Sequence, residues 1–96
     1  MMQVDFSGEL IEWRGPAPFY WVSVPEQESQ EIKEIAAMLT YGWGVIPVEV
    51  TIKHKTWTTS LMPKDGRYFV PIRNDVRLPL KLSLGDNLEL TLDFGK

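Results

Sequence analysis

Trp21, Trp43, Arg73 and Arg77 are the side chains best able to hold a ligand. Each arginine offers a planar fork of donors that matches a carboxylate or phosphate, so Arg73 and Arg77, flanking Asn74–Asp75, read as a small cationic site. In the competing reading each arginine pairs with Asp75, Asp86 or a helix-end carbonyl and only ties down a connection. The chain has four tryptophans. Trp13, Phe19, Trp21 and Trp43 fall at strand ends or in turns, and Trp13 and Phe19 flank a proline-rich turn where they can stack. Aromatic rings in such places bind sugars, bases or apolar partner groups, or else cap a small core.

The other reactive residue types form no constellation. His54 is the only histidine and stands between two lysines at an expected hairpin tip, without a carboxylate or second imidazole beside it. There is no cysteine, so thiol nucleophiles, thiolate metal sites and disulfides are all absent. Thr59 and Ser60 lie in a strand and match no nucleophile-elbow pattern. Glu9 and Glu12 share a strand at a spacing that sends them to opposite faces. Glu28, Glu31 and Glu34, with Lys33 nearby, read as a solvated helix face. Neither a metal nor a cofactor is expected.

These residues need a scaffold, and 96 residues suffice for a single domain over 1–96. Hydrophobic residues make up 44%, which suits a globular chain and not a disordered one. The net charge of −3 is the wrong sign for phosphate neutralisation, so nucleic acid is not an expected partner. No apolar run approaches the roughly 18–20 residues that span a bilayer. The first residues lack the basic-then-apolar order of a signal peptide, so a cytoplasmic setting is expected.

Alternation of apolar and polar residues marks the strands. It runs over Gln3–Trp13, with Gly8 signalling a bulge or a close backbone approach. It returns over 19–24, 45–53, 56–62, Arg67–Ile72 and 87–94. Ile32, Ile35, Ala36 and Leu39 make one apolar stripe, which places an amphipathic helix over about 26–40. Ser29 is available to cap a later start of that helix. His54–Lys55 is the expected hairpin connection and Pro63–Gly66 the next turn. A short capped helical turn is expected over about 74–79. Gly85 and Asp86 read as a structural turn, glycine for positive φ and aspartate to accept backbone N–H bonds.

The ordered series resembles a known family. It comprises Phe6 and Leu10, Pro16–Ala17–Pro18–Phe19–Tyr20–Trp21–Val22, Val24–Pro25, Gly42–Trp43–Gly44 and Pro47–Val48–Glu49–Val50–Thr51–Ile52. It continues with Trp57–Thr58–Thr59–Ser60–Leu61, Pro63, Gly66, Tyr68, Val70–Pro71, Val76–Arg77 and Gly85–Asp86. The chain resembles the small bacterial and archaeal proteins grouped as domain of unknown function 1905. Where those relatives have a basic residue before Gly-Trp-Gly this chain has Tyr41, and where they often have lysine it has Arg73. The resemblance implies a closed six-stranded β-barrel with a helix packed against it, and brings no assigned activity. The last third is also similar to the swapped-hairpin barrel of AbrB-type transcription factors.

The expected fold is therefore mainly β: a closed six-stranded barrel, one amphipathic helix and one helical turn. The expected function is a non-enzymatic module that binds a small molecule or a protein, as a monomer or weak homodimer. Its candidate contact residues are Trp21, Trp43, Arg73 and Arg77. The alternative is an enzyme or enzyme subunit with a site at the barrel mouth, and a third reading is a DNA-binding AbrB-like barrel.

Overall fold

Strand and helix periodicities resolve into the element order β1 (Gln3–Trp13), β2 (Phe19–Ser23), α1 (Glu26–Met38), β3 (Ile46–Ile52), β4 (Lys55–Lys64), β5 (Arg67–Ile72), α2 (Asn74–Arg77) and β6 (Asn87–Asp93). The computed structural model describes residues 3–16, 19–38 and 46–94. The strands close into a barrel in the order β1-β2-β5-β4-β3-β6, and each pairing is antiparallel.

Two strands carry the closure by changing partner along their length. β1 pairs with β6 from Gln3 to Glu9 and with β2 from Leu10 to Trp13. β4 pairs with β3 from Lys55 to Leu61 and with β5 from Met62 to Lys64. Gly8 sits where β1 changes over. A Cβ there would lie 2.6 Å from Val22 Cγ1 and 3.1 Å from the Ser23 carbonyl oxygen, so the glycine serves close approach.

Period-two alternation fills the interior. Val4, Phe6, Leu10, Val22, Val50, Leu61, Val70, Leu90 and Leu92 all join one buried cluster. α1 adds Ile32 and Ala36 at the end where β2 finishes and β5 begins. The segment after β5 adds Val76, Leu80 and Leu82 at the opposite end. The barrel is thus filled by side chains from wall and ends alike, as small barrels are.

Four local expectations change. Ser29 is not a cap, because α1 begins at Glu26 and the Ser29 amide already donates to the Pro25 carbonyl at 2.8 Å. Its buried hydroxyl instead donates to the Val24 carbonyl (3.2 Å) and accepts from the Tyr68 amide (3.2 Å), tying α1 to β5. The β3–β4 turn is Lys53–His54, one residue earlier than expected, with Lys53 at φ 54°. That register sets Ile46 opposite Leu61, where the later turn would have set it opposite Pro63, which has no N–H for the ladder. It also joins the Thr51 and Thr56 hydroxyls at 3.0 Å.

The next turn tightens to Asp65–Gly66, both at positive φ (54° and 79°), the backbone of a two-residue type I′ hairpin. Finally, α2 has Arg73 at its N-cap with no capping side-chain bond. α1 ends at Met38, and the expected extension through Leu39 and Thr40 lies outside the described residues. Burial pushes the Tyr68 phenol above its ordinary pKa.

Candidate functional site

Outward side chains of four strands meet on the barrel wall. In β2, Val22 and Tyr20 turn inward, so Phe19 and Trp21 turn outward. Directly paired residues of neighbouring strands share a face. Trp13 pairs with Phe19, Trp21 with Ile11 and Pro71, and Phe69 with Ser23 and Met62. The outward positions of β1, β2, β5 and β4 therefore form one apolar stretch of wall.

A groove of about 220 Å³ runs across it, lined by Trp13, Phe19, Trp21, Lys64 and Phe69. Trp13 and Phe19 are tilted rings with centroids 5.5 Å apart, and Trp21 and Phe69 are 4.5 Å apart. These are attractive edge-to-face spacings. The Lys64 ammonium lies over the Trp21 ring, 5.3 Å from its centroid. Trp13 and Phe19 remain 43% and 41% exposed, while Phe69 is buried although it points away from the core. Gly15 makes room for this arrangement: a Cβ there would stand 1.8 Å from a Trp13 ring carbon. The Trp21 indole N–H is buried and has no acceptor, and neither has that of Trp57, which packs against the core.

The structure parts the residues that the sequence groups together. Trp21 is in the groove, but Arg73 and Arg77 are not among its lining residues. Arg77 lies 4.0 Å from the Tyr20 ring centroid, and its Nε and Nη2 donate to Asn74 Oδ1 at 3.4 and 3.2 Å. Arg73 pairs with Asp75 at 2.8 Å, both side chains largely in solvent. Trp43 lies outside the described residues. Gly85 has φ 88°, and the Asp86 carboxylate accepts the Ser83 amide at 2.8 Å, which closes the turn before β6.

Trp13, Phe19 and Trp21 stand on the outer wall and not at a barrel mouth. Both ends are occupied by α1 and by the segment through Leu82, so the rings find their room outside the wall. Lys64 and Phe69 escape a reading of the sequence as contact residues. Phe69 does leave a signal, because Tyr68–Phe69–Val70 is apolar on both faces of one strand.

Other places offer less. His54 is exposed at the β3–β4 turn. Among the described residues no three His, Cys, Asp or Glu side chains converge as metal ligands, and no helix is long and apolar enough to cross a membrane. A larger saddle of about 590 Å³ lies over the solvated side of β1, β6 and β3, lined by Asp5, Ser7, Thr51, Lys53, Glu89 and Thr91 among others. These are ordinary outward strand and turn positions of mixed charge, without the paired rings of the smaller groove.

Comparison with known proteins adds a family. Residues 6–92 match the model of the family described as domain of unknown function (DUF1905). No curated protein matches the chain.

Proposed function

We propose that this chain, which belongs to the DUF1905 family, is a non-enzymatic module that docks a protein partner on the aromatic groove of its outer wall. The observation that carries this reading is the groove itself, in which two tilted ring pairs stand in an outward wall and two of their members stay two-fifths exposed. Contiguous exposed apolar surface on a small domain marks contact with other molecules. Tryptophan is also the residue type most enriched where binding energy concentrates.

Size favours a protein partner over a small molecule. Pockets that enclose a small molecule hold roughly 300–1,000 Å³ and bury most of it. At about 220 Å³ and open along one side, this groove accommodates a single apolar side chain delivered by a larger partner. A chain without cysteine is suited to work in a reducing cytoplasm.

The test uses an N-acetylated, C-amidated peptide, Gly-Asn-Leu-Asn-Gly, followed by tryptophan fluorescence and calorimetry. Binding is expected to weaken by at least about tenfold in Trp21→Ala, the change typical of an aromatic anchor. Gly15→Ala is the sharper probe. It displaces the far end of the Trp13 side chain without removing an atom of the groove, so affinity falls while the thermal midpoint holds. Folded variants that bind as wild type, or a wild type that does not bind, would count against the reading.

A further inference from the structure

The groove's charge is more selective than its shape. Lys64 is exposed and takes part in no ion pair among the described residues. Its cross-strand partner is Arg67, whose Nε donates to the Val24 carbonyl at 3.0 Å, and Asp65 stands in the turn between them. Two cationic residues paired across a ladder favour a counter-charge. Arg14 adds a cation beside Trp13, its side chain 86% exposed and 3.6 Å from Glu12, which offsets part of it. A chain of net charge −3 thus places Arg14, Lys64 and Arg67 around this apolar groove.

Resting on the groove as a docking surface, we infer that the partner segment carries an apolar side chain flanked by a carboxylate. The apolar group lies against Trp21 and Phe69. The carboxylate draws the Lys64 ammonium off the Trp21 ring into a charge-assisted contact of its own. An acidic flank also speeds encounter, because opposite charges steer association.

Three capped peptides test this: Gly-Asp-Leu-Asp-Gly, the neutral Gly-Asn-Leu-Asn-Gly and the basic Gly-Lys-Leu-Lys-Gly. The acidic peptide is expected to bind roughly three- to tenfold tighter than the neutral one at low salt, and the basic peptide more weakly than either. The advantage should shrink in 0.5 M NaCl, where the screening length falls to roughly 4 Å. Lys64→Met should abolish it, and Lys64→Glu should reverse it. Neutral and acidic peptides that bind alike would overturn the acidic preference and leave the groove standing. Failure of all three peptides would overturn both.

Discussion

Gly8→Val should destabilise the barrel by about 3 kcal/mol, the upper end of the usual range for overpacking. For a chain this short that is a fall in thermal midpoint of roughly 12–24 °C. Gly8 lies where β1 leaves β6 for β2, and its missing side chain is what lets β2 come close. A Cβ would meet Val22 Cγ1 at 2.6 Å and the Ser23 carbonyl oxygen at 3.1 Å. Val22 is fully buried and has nowhere to turn, and the carbonyl belongs to the backbone of β2. Gly8→Ala should show the same sign with a smaller size. Urea unfolding checks both, and a loss below about 0.5 kcal/mol in the valine variant would show that the seam yields.

Ser29→Ala should lower stability by about 1–3 kcal/mol, far more than an exposed change on the same helix such as Glu34→Ala. The Ser29 side chain is fully buried, and its hydroxyl bridges the Val24 carbonyl and the Tyr68 amide. Removing it leaves the two ends of the bridge in unequal positions. The Val24 carbonyl keeps a bond from Arg67 Nε at 3.0 Å. The Tyr68 amide loses its hydroxyl acceptor within a buried site, and most of the destabilisation comes from that side. Hydrogen exchange should therefore quicken at the Tyr68 amide more than elsewhere in β5. Unchanged exchange there would show that the bridge does not hold α1 to the barrel.

The barrel was legible because its strands alternate cleanly. Ile46, Val48, Val50 and Ile52 in β3, and Leu88, Leu90 and Leu92 in β6, declare an inner face by period alone. Gly8, inside a strand pattern, signalled a bulge or a close approach, and the close approach is what the structure shows. What stayed hidden depends on which strands are neighbours. β5 lies between β2 and β4, and only that order brings Phe69 and Lys64 beside Trp21. Sequence adjacency misleads at the same place. Tyr20 and Trp21 are consecutive but face opposite sides of the wall, so the arginine stacked on one ring is remote from the groove at the other. Ser29 offered a cap for a later helix start because serine so often caps, whereas with α1 beginning at Glu26 its value lies in reaching a neighbouring strand.

Docking at the outer-wall groove is tested most directly by the indole N–H signals of a proton–nitrogen correlation spectrum, one for each of the four tryptophans. Titration with the neutral leucine peptide should shift the Trp13 and Trp21 signals along saturable, matching curves while Trp57, packed against the core, stays in place. Stationary Trp13 and Trp21 signals at saturating peptide would contradict docking at this groove.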